Sequence, residues 1–453
     1  MNILCLHHMG DPKYRLEAVR ALECMVAEVR PDLNVVVHDC DVPLPGYMKD
    51  IDYDLIVLGP TFLCNRYSPR NLKSALSEFE FIKHSNACKV ALPQDDYDCS
   101  EILENWLLDW DVSLVYTVSP EHWPSLYPRL SKKGKIRLGY TGYISQDWID
   151  SWGSPKPNEL RTIDVSYRAS KLPANFGSHG QLKWEIAHRF TKAMDIMSNM
   201  RLDISVDPKD RISGKGWHDF LENSKFCLTT APGSSLLDPR GAFRSCVNRY
   251  VARKPKASFC EIEAVCFAGE DKRFLFTMLS PRNLESALSE TVQIATPGSY
   301  SGLMQPYEHF IPLAENCSNI AEVFELMNDT LHVGKIKKQC KEAVLSEPRL
   351  RRTNIVNEII DFAENFLSNH QRGVAADQGR TKSAFDLYNS EIKKIENSYW
   401  RRKRLFLTAR SVASKLGARR IRDLINYNHQ STTFFVRKCL SLFRGTKTNT
   451  LLR

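Results

Sequence analysis

Between residues 280 and 302 the chain reads SPRNLESALSETVQIATPGSYSG, and this stretch holds the residues best suited to bind a polar ligand. Ser280 followed by Pro281 fits a helix start, because Pro at the first helical position loses no hydrogen bond. Glu285 then lies in the first turns of a short helix beside Arg282. A carboxylate there accepts from two neighbouring hydroxyls, such as a ribose diol, while Arg282 and the helix's unpaired N–H groups attract phosphate. The simpler reading is that Glu285 only complements the helix dipole. A second polar stretch, APGSSLLDPRG at 231–241, follows an apolar run. Its backbone N–H groups, Ser234 and Ser235 can meet phosphate or sugar hydroxyls and Asp238 a hydroxyl, the alternative being a plain turn with Asp238 as helix cap.

The order of apolar strand, helix with Glu285 and Ala287, and strand after a small turn resembles the donor-sugar-nucleotide segment of GT-B fold glycosyltransferases. In that family the Glu holds the nucleotide ribose. More closely, HFIPLAENCSNIAEVFEL at 309–326, QDDYD at 94–98 and LGYTGYI at 138–144 resemble bacterial surface-carbohydrate glycosyltransferases with a group 1-like donor-binding domain. Many retaining members carry a second Glu eight residues before the first. Here that position is Thr277, which leaves the stereochemical class open.

The resemblance implies an Arg after a strand and a Lys at the start of the next helix, both against the donor diphosphate. Arg168 and Lys183 stand in that order, though Lys183 also suits a solvated helix start. Cations there would stabilise the charge that grows on the leaving group. An inverting transferase also needs a carboxylate or His to take the acceptor proton. Asp95, Asp96, His7 and His8 follow strands on the cleft side, each with a structural or acceptor-positioning role as the alternative. His309 is placed to reach the donor's sugar or phosphates, or else to serve its own loop. No DxD-like pair has a convincing context, so metal-independent chemistry with no cofactor is expected.

These residues need a scaffold, and the hydrophobic pattern supplies one. Short, nearly all-apolar strands at 2–6, 35–38, 55–58, 89–92 and 113–117 alternate with helices, the first of them over 13–30. A second set follows at 163–167, 200–205, 226–229 and 292–296, with helices at 181–199, 216–224, 320–328, 331–346 and 353–368. Such β-α-β order specifies parallel sheets covered on both faces, with ligands bound beyond the carboxyl ends of the strands. The expectation is an α/β protein of two Rossmann-like domains in GT-B architecture, 1–150 and 159–370. The linker is at 151–158, and the helix over 355–366 crosses back to the first domain. There is no GxGxxG after the first strand, hence no dinucleotide fingerprint.

Charge separates the third part. Residues 371–453 carry 19 Lys/Arg against 5 Asp/Glu, whereas 1–370 carry 43 against 48. A general affinity of the body for nucleic acid is therefore not expected. Within the basic helical extension, Leu405, Phe406, Ala409, Val412, Ala413 and Leu416 form an apolar stripe after Arg401-Arg402-Lys403-Arg404, and 434–440 repeats the aromatic–basic mixture. Residues 399–444 are expected to lie on an anionic membrane surface, the alternative being packing on the body. The 13 cysteines include no CxxC pair and are an odd number, so a disulfide framework and a structural zinc site are not expected. No stretch reaches the ~18 apolar residues that span a bilayer, and the amino terminus lacks a basic segment leading into a long apolar region. A cytoplasmic location at the inner face of the plasma membrane is expected.

The function implied is transfer of a sugar from a nucleotide-sugar to a surface polysaccharide, glycan or lipid-linked acceptor. The alternatives are a nucleotide-sugar 2-epimerase and a non-catalytic, membrane-associated carbohydrate-assembly protein.

Overall fold

The computed structural model describes residues 1–197, 200–370 and 378–415. Six parallel strands, β1 (Asn2–His7), β2 (Asn34–Asp39), β3 (Leu55–Leu58), β4 (Cys88–Ala91), β5 (Leu114–Thr117) and β6 (Ile136–Leu138), form a first sheet in the order β2-β1-β3-β4-β5-β6. Their apolar runs are buried on both faces, as a helix-covered parallel sheet requires. β6 carries no such run; Arg137 is exposed, as an edge position allows. The helix expected over 13–30 is two pieces, Glu17–Glu23 and Met25–Val29, broken where Cys24 leaves helical geometry (φ −98°, ψ 1°).

The second sheet begins with β7 (Ile163–Arg168), β8 (Leu202–Ser205) and β9 (Ser224–Thr229). Between β9 and the next strand of this sheet comes an insertion. It contains β10 (Gly233–Ser234), helices Ala242–Arg253 and Phe259–Cys266, and β11 (Phe276–Thr277), which pairs antiparallel with β10. The apolar run ahead of Ser280 thus joins this ribbon rather than the main sheet. Strands β12 (Val292–Ala295) and β13 (Ile311–Pro312) complete the order β13-β12-β9-β7-β8, all parallel. The two insertion helices are joined by a disulfide, Cys246–Cys266, contrary to the expectation from cysteine spacing. Pairing depends on the helices lying side by side, with the two Cα atoms 5.4 Å apart.

Two parallel sheets wrapped by helices, with a late helix crossing back, constitute the GT-B architecture. The crossing helix is Arg352–Asn369: it buries Ile355, Val356, Ile359, Ile360 and Ala363 in the core shared with the first sheet. Arg352 pairs with Glu28 at 2.9 Å, and Tyr116 Oη donates to Glu358 at 2.9 Å. The insertion also reaches the first sheet, since Asp98 and Asp238 form a parallel bridge and Phe276 stacks on Tyr97.

The basic extension is not a free tail over its first part. Helix Gln378–Lys415 buries Phe385, Tyr388 and Ile392 in the first sheet's core and Trp400 beside β2. Tyr388 Oη lies 2.8 Å from His38 Nδ1. Burying such side chains stabilises by about 1.5–3 kcal/mol each. Packing on the body is therefore the observed state of these residues. Leu405 and Leu407 remain half-exposed at 47% and 52%. Leu416 and the 434–440 segment lie outside the described residues.

Candidate functional site

At the carboxyl end of the second sheet the Ser280–Pro281 start forms as expected, with Ser280 and Asn283 in a capping box. The helix Pro281–Leu288 turns Glu285 toward Trp217 on helix Lys215–Glu222, and the indole Nε1 donates to Glu285 Oε2 at 2.7 Å. Burial raises the Glu285 pKa, while the Trp217 hydrogen bond and the Arg282 charge oppose the rise. Arg282 donates from Nη2 to the Arg168 carbonyl at 2.6 Å. Its guanidinium lies 5.2 Å from the Trp217 ring centre and 5.6 Å from that of Tyr167.

Lys183, on helix Gly177–Met197, lies close enough to feel both Arg282 and Asp95. Burial and the Arg282 charge push its ammonium down to about 8, against the attraction of Asp95. Two cations held together in a partly desolvated place favour an anion between them. Gly177 is required at the start of this helix: its φ is +70°, and a Cβ would come 2.2 Å from Ser235 Oγ.

The first sheet contributes the opposite wall. Asp95 follows β4 with φ 49° and accepts from Tyr97 Oη at 2.6 Å. The 138–144 segment abuts the same place: Thr141 Oγ1 donates to the Leu279 carbonyl at 2.9 Å, and Gln94 Nε2 to the Thr141 carbonyl at 3.4 Å. The Arg282 charge acts on both Lys183 and Glu285 and the Asp95 charge on Lys183, which links the four groups electrostatically across the carboxyl ends of the two sheets.

Several expected site residues are turned elsewhere. Arg168 pairs with Asp203 at 2.7 Å and donates to the Tyr167, Asp203 and Asp210 carbonyls, so it locks β7 to β8 instead of facing a ligand. Asp238 is 3% exposed and caps helix Ala242–Arg253 through the Ala242 and Arg244 N–H groups. Ser235, 1% exposed, donates to Asp271 at 2.6 Å and accepts from His179 N–H. Asp96 is fully buried among the hydroxyls of Thr117, Ser119 and Tyr127, with no path to an acceptor. His309 accepts from Gln305 N–H within its own loop. It precedes β13, which pairs Ile311 with Ile294, and so stands toward the amino-terminal side of the sheet, away from the cleft. Thr277 accepts from Ser299 N–H at 2.8 Å and is buried.

The two histidines are also unsuited to take a proton. His7 is buried, and burial together with the Arg15 charge lowers it to about 3. His8 Nε2 faces Asp41 Oδ2 at 3.2 Å and Nδ1 faces Asn65 Oδ1 at 3.1 Å. The Asn65 amide N–H donates to the Phe62 carbonyl, which fixes its oxygen toward His8. Both partners are acceptors, and the Asp41 hydrogen bond raises the His8 pKa above its ordinary value. His8 is held between two acceptors, a setting that suits a donor better than a base. Sequence patterns missed its support: Thr61 Oγ1 accepts from His8 N–H at 2.8 Å and donates to the buried Glu23, whose carboxyl burial pushes up to about 7.

Among the described residues, His218, Asp219 and Glu222 form the one His/Asp/Glu group close enough to share a cation. They occupy one face of a surface helix, and His218 already lies against Trp152 and the Ser151 carbonyl. No helix among the described residues is long and apolar enough to cross a membrane.

No protein-family model matches the chain, and no curated protein is similar to it in sequence. Among solved structures it is similar to Anabaena Alr3699/HepE in complex with UDP-glucose, at 12% identity and a TM-score of 0.44, over 81% of this chain and 100% of that one. A glycosyltransferase from Rickettsia africae ESF-5 is similar at 11% identity and a TM-score of 0.44, over 81% and 99%. The DNA-modifying enzyme beta-glucosyltransferase is similar at 10% identity and a TM-score of 0.40, over 80% and 100%.

Proposed function

We propose that the protein transfers a sugar from a nucleotide-sugar to a surface polysaccharide, glycan or lipid-linked acceptor. The observation that carries this reading is the electrostatic linkage of Lys183, Arg282 and Glu285 with Asp95 across the carboxyl ends of the two sheets. Lys183 and Arg282 take the donor diphosphate. Glu285, with Oε2 fixed by Trp217, offers Oε1 to the ribose hydroxyls. As the bond between the sugar's anomeric carbon and the phosphate oxygen breaks, negative charge grows on the leaving diphosphate, and the two cations stabilise it more in the transition state than before.

The new bond joins the acceptor oxygen to the anomeric carbon, and the acceptor's proton leaves to Asp95 in an inverting reaction or to the departing phosphate in a retaining one. Asp95 is the candidate because Asp96 is enclosed and both His8 ring nitrogens are engaged by Asp41 and Asn65. No step here draws on a metal or cofactor. Residues 1–150, 159–370 and 371–453 remain the proposed units, with 399–444 the contact to an anionic membrane at the cytoplasmic face. Lys403 and Arg404 face the body, while Arg401 and Arg402 are exposed beside Leu405, which gives the helix an outward face of cations with one apolar side chain.

Screening nucleotide-sugars, beginning with UDP-glucose, with mass spectrometry of the products tests the reading. A glycosylated acceptor supports it. Isomerised donor without transfer would instead indicate an epimerase.

A further inference from the structure

Three carboxylates at the carboxyl ends of β1 and β2 are each shared between the loop that follows β1 and the long carboxyl-terminal helix. Asp41 pairs with His8 of the loop at 3.2 Å and with Lys403 of the helix at 2.6 Å. Asp39 pairs with Arg15 at 2.6 Å and accepts from Trp400 Nε1 at 3.3 Å. Asp11 accepts from the Lys13 N–H at 3.0 Å and pairs with Arg404 at 2.6 Å. Docking of the helix does not need these contacts, since Phe385, Tyr388 and Ile392 already bury its earlier turns in the first sheet's core. The polar contacts are instead concentrated where parallel sheets bind ligands.

We propose that the carboxyl-terminal helix is a positioning element of the active cleft. Through Trp400, Lys403 and Arg404 it holds the loop over residues 8–16, and with it the His8 side chain, in place on the acceptor side. The four cations of the run thereby have two roles, Lys403 and Arg404 ordering the loop while Arg401 and Arg402 stay outward. The assignment of this loop to the acceptor rests on the glycosyltransferase reading; the ordering of the loop by the helix does not.

The test is amide hydrogen exchange on the full-length protein, with UDP titrated separately. Arg404→Asp should raise exchange across 8–16 by about tenfold or more, while protection over 381–392 and the affinity for UDP stay as in the wild type. Adding Asp11→Arg should bring the loop back by restoring the pair with reversed charge. Lys403→Met, a milder change, should act in the same direction and serves if Arg404→Asp does not fold. Unchanged loop exchange in these variants, or a loop that stays loose after the charge swap, would overturn the proposal. So would an equal rise through 381–392, because the variant would then have undocked the helix. If no form of the protein binds UDP or any other common nucleoside diphosphate, the glycosyltransferase reading fails while the loop result stands on its own.

Discussion

Trp217 Nε1 donates to Glu285 Oε2 at 2.7 Å, so one oxygen of the half-buried carboxylate is held by the protein and the other is left to a ligand. The bond also opposes the rise in pKa that burial imposes. Glu285→Gln should weaken donor binding by roughly 1.5–3 kcal/mol, the usual contribution of a charge-assisted hydrogen bond. Trp217→Phe, which keeps the ring and removes the donor, should weaken it less. Calorimetric titration of both variants checks the order.

Lys183 gives a pH signature. Its ammonium titrates near 8 in the folded protein, against an ordinary value of 10.5. Diphosphate affinity should fall as pH rises through about 8, and Lys183→Met should lose that dependence. The stability effect has the opposite sense: between about 8 and 10.5 the unfolded chain holds a proton that the folded one has released, so the Lys183 contribution to stability increases with pH there. Below that window the buried cation is a cost, and Lys183→Met should be more stable than wild type at pH 7, by on the order of 1 kcal/mol. Urea unfolding at pH 7 and pH 10 measures both.

Asp96 should behave as a structural group. Asp96→Ala leaves the hydroxyls of Thr117, Ser119 and Tyr127 without their shared acceptor, and should cost about 2–4 kcal/mol of stability. Asp95→Asn should leave stability within about 1 kcal/mol, because Asp95 is partly exposed and accepts one side-chain hydrogen bond. A stable but inactive Asp96→Asn would reverse the two assignments.

The alternation of apolar strands and helices made both sheets legible apart from their short edge strands β6 and β13, and Pro281 after Ser280 made the Glu285 helix legible, because these signals are local. What a polar side chain touches is not local. Arg168 sits where a phosphate ligand would, yet its partner Asp203 arrives only when β8 pairs beside β7. Asp238 and Ser235 have the types and spacing of ligand-binding residues, but the insertion folds so that one caps a helix and the other braces Gly177. Trp217 carried no motif; its role depends on two helices separated in sequence by a strand and an insertion. In the extension it is the earlier turns, through Phe385, Tyr388 and Ile392, that pack on the first sheet, ahead of the stripe read from Leu405 onward.

For the outward face of that helix, Arg401→Glu with Arg402→Glu should reduce sedimentation with vesicles containing anionic lipid, each cation being worth about 1 kcal/mol near such a surface. Added salt should release the wild type. Neutral vesicles should bind both proteins weakly and equally.

The central claim is that Lys183 and Arg282 form a diphosphate site, and parallel calorimetric titrations of UDP and uridine test it most directly. The wild type should bind UDP far more tightly than uridine, and a protein carrying Lys183→Met and Arg282→Gln should lose most of that difference, about tenfold or more per cation. Equal affinity of the folded wild type for UDP and uridine, or an unchanged preference in the double variant, would contradict the account.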